Sequence, residues 1–387
     1  MSQQIIDQRA FEEKATSGAN KTPKVLPSLT GFRAIAAALV GFSHFGPPLL
    51  LGTDAVRILS RGYSGVTAFF ILSGFVLTWS QLTKGHTKVP SRRKFMVDRL
   101  SRIYPLHIAT LVLAVFLLGW PSDTFEKLGY HLLLLQAWHP NLDYVYTFNP
   151  VAWSLSVELF LYICFPFLFN AAHSFFRRFH AKAIGVIIAV GVAVPLFALI
   201  LTTVYGANTK LVADSWSAHF FLYRLPFTRL GDFIVGIGMA FAVYYFKPIS
   251  NRLAVSLQLF AVAAYICVAN LDFAFNSFLG AASFDVLWLP VFGLAIYSLG
   301  ASYRRGSRHL LGSPLLVALG AWSFAFYLLH YQLYLYSNLH GGQISFSGKT
   351  SWIVYVSGLF VLITALSWIA HRYIEQPAQR WIRKHTR

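Results

Sequence analysis

The chain has 387 residues, of which 56% are hydrophobic and only 12% charged, against roughly 25% charged in soluble domains. Together with a mean hydropathy of +0.56, this excludes an ordinary soluble domain and predicts an all-α polytopic membrane protein. The formal net charge of +18 would suit nucleic acid in a soluble protein, but in a membrane protein Lys and Arg collect on cytoplasmic loops, so no nucleic-acid partner is expected.

Residues 1–27 are polar and of mixed sign, with Glu12, Glu13 and Lys14. They do not read as a signal peptide, and a cytoplasmic N-terminal tail is expected, with the first helix as an uncleaved anchor. Apolar runs follow at 28–46, 62–80, 105–120, 151–170, 183–204, 229–246, 253–270, 285–301, 315–337 and 351–371. They predict about ten transmembrane helices. The stretch 128–138 is too short to span and is expected to be re-entrant or interfacial.

Ten spans put both termini on one side of the membrane. The segments on that side hold 24 Lys and Arg, against six on the opposite loops. This bias predicts that both ends are cytoplasmic and accounts for the net charge. The domain reading is a single membrane domain over 28–371, followed by a basic cytoplasmic tail over 372–387, in the plasma or inner membrane. No internal repeat or appended soluble module is visible. Cys164 and Cys267 both sit in apolar runs, so they are read as inert, with no disulfide framework and no metal site.

Within the first run, Arg33 and His44 are eleven residues apart and therefore leave the same helix face, ~16 Å apart along the axis. Ionisable groups at membrane depth are functional candidates by default, and two on one face predict a path through the bilayer. His44 is suited to act as a base near neutral pH, whereas Arg33 keeps its charge. The bland alternative is a snorkelling arginine and an interfacial histidine. In the second run, Ser73-Gly74 permits close helix approach.

The loop after the second run is the most basic of the chain. Its Arg99 and Arg102 are i, i+3 neighbours, suited to bidentate bonds with phosphate. Anionic-lipid anchoring is the alternative, and Asp98 is placed to pair with Arg102. In WSLSVELFLY, Ser154, Glu158 and Tyr162 form one polar stripe on an apolar helix. Glu158 is expected at the depth of His44 and able to orient it, or else to belong to a structural hydrogen-bond knot.

Arg229 and Asp232 read as a local ion pair. His330 is another histidine in an apolar helix. The segment Tyr373 to Pro377 reads as a helix end, with Glu375 paired to Arg372 and Arg380. There is no GxSxG elbow, HExxH, P-loop or GxGxxG motif. Leu49 stands five residues after His44, so a His-x4-Asp pattern is absent.

The stretches LTGFRAIAAALVGFSHF, GVTAFFILSGFVL, RLSRIYPL, WSLSVELFLY, RLGDFIVGIGMA, LGAWSFAFYLLH and HRYIEQP occur in an order that resembles the acyltransferase 3 family of membrane O-acyltransferases. The resemblance implies transfer of an acyl group, usually acetyl, from cytoplasmic acyl-CoA to an acceptor hydroxyl, typically on a sugar. Acetyl-CoA would be a co-substrate, with no bound cofactor. Carried over by position, Arg33 and His44 match the family's Arg-x10-His pair, Arg99 and Arg102 match its RxxR motif at the CoA end, and Glu158 and Tyr162 match its SxxxExxxY helix.

On this reading His44 and Glu158 are catalytic. Arg33, Arg99 and Arg102 bind the donor, and Ser73, Ser154, Tyr162 and His330 support the acceptor side. Thr67 departs from the pattern, because the family often has an acid there whose partner would be an arginine. Rival readings are a transporter or flippase of glycan or lipid precursors, a different membrane O-acyltransferase class built on His330, and a scaffold subunit. The acceptor is open between glycan, glycolipid and glycosylated small molecule, and the oligomeric state is open too.

Overall fold

Lipid offers the backbone no hydrogen bonds, so each apolar run must satisfy its own amides, which a helix does. The computed structural model describes residues 25–46, 52–120, 124–303, 310–340 and 348–386, and among these there is no strand. All ten predicted runs are helices: α1 (Pro27–His44), α2 (Gly65–Leu82), α3 (Arg92–Leu118), α4 (Trp153–Phe179), α5 (Ala181–Val204), α6 (Pro226–Tyr245), α7 (Asn251–Asn270), α8 (Leu289–Tyr303), α9 (Pro314–His340) and α10 (Lys349–Ala370).

Eight of the helices are long and apolar enough to cross a membrane. Of the other two, α8 has 15 residues, and α1 carries Arg33 and His44 within its 18. The stretch after α3 forms a nine-residue helix, Thr124–Leu132, which is too short to span. The predicted tail up to residue 24 lies outside the described residues, as do Pro47 and Pro48 beyond the end of α1.

Helices α2 and α6 lie at the centre and pack closely on each other. The sequence makes this contact through two glycines. A Cβ on Gly74 would lie 2.1 Å from the carbonyl oxygen of Phe233, and one on Gly236 would lie 2.0 Å from that of Ile71. The small-residue reading of Ser73-Gly74 thus holds for Gly74, which lets two backbones touch. Gly74→Val is expected to destabilise at or above the upper end of the ~1–3 kcal/mol typical of overpacking. Gly358 has no neighbour within 4 Å of such a Cβ, so Gly358→Ala should melt with the wild type. Thermal denaturation in detergent checks both.

Helices α5 and α7 lie outermost and turn residues such as Val190, Phe197, Leu259 and Phe260 outwards, as lipid-facing helices should. Helix α1 lies against α9, with α2 also in contact. The N-terminus of α3 is capped by Ser91, whose Oγ accepts from the Lys94 amide at 3.2 Å.

Two local expectations are corrected. The chain does not end its last helix at Tyr373–Pro377, but continues through a π-helical turn, His371–Glu375, into α11 (Gln376–His385). There Glu375 accepts from His371 Nδ1 at 2.8 Å and from Gln379 Nε2 at 3.1 Å, rather than from Arg372 or Arg380. These side chains lie four residues to either side of Glu375, the spacing at which helical neighbours meet. Asp98 pairs with Arg383 of α11 at 3.0 Å and not with Arg102, because α11 packs across α3.

Candidate active site

Helices α1 to α4 and α9 enclose a cavity. Arg33 enters its wall from α1, Ser73 from α2, and Arg99 and Arg102 from α3. The polar stripe of α4 faces the same space through Ser154, Glu158 and Tyr162. The i, i+3 and i, i+4 spacings deliver these groups to one face of each helix, so seven residues singled out in the sequence meet in one place.

The Arg99 guanidinium lies over the rings of Phe95 and Tyr162, 5.7 and 6.0 Å from their centroids. Tyr162 Oη donates to Glu158 Oε1. Among the described residues no carboxylate stands at ion-pairing distance from Arg33, Arg99 or Arg102. Glu158 and Glu375 act on Arg33 and Arg102 only through space. The three guanidiniums thus present N–H forks to the cavity without a direct counter-ion, the arrangement that suits phosphate or carboxylate oxygens.

His44 is placed differently from the expectation. It is half-buried at the far end of α1 and does not line this cavity. Its Nδ1 is 2.9 Å from Nε2 of His330, and the rings stack with centroids 5.1 Å apart. Tyr331 meets His44 edge-on at 5.0 Å. The expected His44–Glu158 pair is therefore not formed. Glu158 belongs to the Arg33 end of α1, and α9, lying along α1, supplies the neighbour of His44 instead. The expected path is likewise interrupted: Arg33 lines the cavity and His44 does not. Tyr327 of α9 lines it and stands one turn before His330.

A second polar cluster is buried beside the cavity. Arg229 pairs with Asp232 at 3.0 Å, as its spacing predicts, and also with Asp285 at 2.5 Å. It further donates to Thr67 Oγ1 at 3.0 Å, while Thr67 donates to Asp285 Oδ1 at 3.1 Å. Its remaining bonds go to the carbonyls of Tyr223 and Phe284, at 2.8 and 3.0 Å. Thr67 does meet an arginine, and the carboxylate that the resemblance implies at that position arrives from Asp285, in the turn before α8.

The sequence reading missed Ser323 and Tyr327 in the cavity wall and Asp285 in the cluster. Signals were present for all of them. Ser323, Tyr327 and His330 recur at i, i+4 and i+7, a polar stripe on an apolar helix, and Asp285 is a lone acid at the head of an apolar run.

Comparison with known proteins accords with this architecture. The family described as an acyltransferase domain, acyltransferase 3, matches residues 26–372. The chain is 32% identical over 375 residues to the acyltransferase MdmB of Streptomyces mycarofaciens, covering 92% of each. It is 26% identical over 387 residues to the O-acetyltransferase OatA of Staphylococcus aureus (strain NCTC 8325 / PS 47), covering 93% of this chain and 58% of that protein. A putative O-acetyltransferase, SACOL0978, of Staphylococcus aureus (strain COL) is 24% identical, over 94% of this chain and 59% of its own length. No solved structure matches. The family match across nearly the whole helical bundle makes this chain a member of the acyltransferase 3 family and a multi-pass membrane O-acyltransferase.

Proposed function

We propose that the enzyme takes an acyl group, acetyl by preference, from cytoplasmic acyl-CoA and transfers it to a hydroxyl of a glycan, a glycolipid or a glycosylated small molecule at the His44 end of α1. The observation that carries this reading is the convergence of Arg33, Arg99 and Arg102 on one cavity without a direct carboxylate partner. A CoA thioester brings several phosphate oxygens and a long flexible arm, which match a cationic mouth and an otherwise apolar wall. The excess of Lys and Arg on the loops at that end supports a cytoplasmic mouth in the plasma or inner membrane. The O-acetyltransferase relative supports acetyl as the group moved.

In the reaction, His44 takes the proton of the acceptor hydroxyl, and the hydroxyl oxygen forms the new bond to the acyl carbon. The carbon–sulfur bond breaks, and the CoA thiolate leaves and accepts a proton. Because His44 stands outside the cavity wall, the acyl end must pass Tyr327 to reach it.

Binding of coenzyme A to purified protein in nanodiscs tests the donor site. Arg99→Ala and Arg102→Ala each remove charge-assisted bonds of ~1.5–3 kcal/mol, so roughly tenfold to a hundredfold weaker binding is expected. Arg252→Ala, in the first turn of α7 and away from the cavity, serves as the control. Equal affinity in all three variants would refute the donor assignment.

A further inference from the structure

His330 is fully buried and half-buried His44 is not, and their hydrogen bond has a direction. His330 Nδ1 lies 2.7 Å from the carbonyl oxygen of Tyr327 and 3.3 Å from that of Phe326. A carbonyl only accepts, so Nδ1 of His330 carries the hydrogen. In a neutral imidazole the other nitrogen then holds a lone pair. His330 Nε2 must therefore accept, and the 2.9 Å bond to His44 Nδ1 must be donated by His44. That leaves the lone pair of His44 on Nε2, to which no described residue hydrogen-bonds.

From this chain of donors we infer that His330 is a positioning residue for the transfer reaction: it fixes His44 in the tautomer with a free Nε2 and receives a proton from Nδ1 when Nε2 takes one. The inference rests on the reading of His44 as the base and extends it. It parallels the use of a hydrogen-bonding partner to orient a catalytic or metal-bound histidine. The partner here is a second imidazole rather than a carboxylate.

The proton count closes. The acceptor O–H proton goes to His44 Nε2, and the Nδ1 proton of His44 passes to His330 Nε2. His330 then donates from both nitrogens, to His44 and to the Tyr327 carbonyl, and its positive charge faces two backbone oxygens. The proton returns by the same two bonds and leaves from His44 Nε2 to the departing thiolate.

The setting favours such a relay. The phenols of Tyr327 and Tyr331 pack against the pair, with Tyr334 beside Tyr331, and among the described residues no ion pair involves either histidine. Phe326 stacks on His330 with an interplanar angle of 6°, and Phe45 packs against it from α1's end. The rings are held in place by apolar neighbours, so the bond between them is what sets the tautomer.

The test uses three variants at one position and a probe that needs no acceptor. Gln reaches the site of Nε2 with an oxygen that accepts from His44. Asn reaches only the site of Nδ1, keeping the bond to Tyr327 while losing the acceptor. Leu keeps neither. Diethylpyrocarbonate reacts with the unprotonated imidazole nitrogen, and peptide mass spectrometry reads its rate at His44 in the purified full-length protein.

Relative to wild type, at least tenfold slower carbethoxylation of His44 is expected in His330→Asn and His330→Leu, with recovery to within about threefold in His330→Gln. Release of CoA from acetyl-CoA, with water as acceptor, should follow the same order in kcat, with KM unchanged. Equal carbethoxylation rates in folded Asn and Gln variants would overturn the relay. Full CoA release by His44→Ala would instead overturn the proposed role of His44 itself, and the carbethoxylation rates do not depend on that outcome.

Discussion

His44→Ala is expected to lower acyl transfer by two to four powers of ten, the range of general-base catalysis, and to leave the KM for acetyl-CoA within about twofold. The two halves of this expectation come from different parts of the molecule. Turnover falls because the half-buried imidazole is the group with a free nitrogen at the far end of α1, and alanine leaves the acceptor proton to water. Donor affinity is retained because the arginine-lined cavity does not include His44.

Glu158→Gln should behave in the opposite way. It replaces the acceptor of the Tyr162 hydroxyl and removes one of the two carboxylates acting on Arg33 and Arg102. Its first effect is therefore expected on KM. Both variants are checked by CoA release from purified protein and by mass spectrometry of cell glycans and glycolipids for a lost acetyl increment. Folded His44→Ala with turnover within tenfold of wild type would rule out the base assignment. Label trapped on the protein by radioactive acetyl-CoA without acceptor would replace direct transfer with an acyl-enzyme.

The ten helices were legible because burial in lipid demands long apolar runs, and little else in the chain competes with that signal. The donor cavity was legible for a similar reason: charges in apolar helices are rare, and i, i+3 or i, i+4 spacing places Arg99 with Arg102 and Ser154 with Glu158 and Tyr162 on one face. Depth along a helix could be estimated, but which helix stands next to which could not. Glu158 was therefore matched to His44, whereas α9 supplies His330. Asp98 was matched to Arg102 for the same reason, since the partner, Arg383, is almost 300 positions away and on another helix. Thr67 could be seen to lack its acid, yet only the packing of the turn before α8 against α2 and α6 shows Asp285 filling the place.

That substitution of one carboxylate for another leads to the largest stability effects expected in the chain. Arg229, Asp232 and Asp285 are all fully buried, and removing one member of a buried charge cluster costs roughly 3–5 kcal/mol when it leaves an uncompensated charge. Arg229→Met leaves two carboxylates facing each other without a cation, so it is expected to reach or exceed that figure and to abolish folding in membranes. Asp285→Asn leaves a neutral Arg229–Asp232 pair and an amide that still accepts from Thr67 and Arg229, so it should cost no more than ~1–2 kcal/mol, the scale of a single hydrogen bond. Thr67→Asp adds a third carboxylate and should destabilise by itself. Combined with Asp285→Asn it restores two acids on one arginine, so the double variant should melt above Thr67→Asp alone. Thermal unfolding of the wild type, Thr67→Asp, Asp285→Asn and the double variant in one detergent gives the coupling directly. A purely additive double variant would mean that position 67 and Asp285 do not share Arg229, and the account of the missing acid would fail with it.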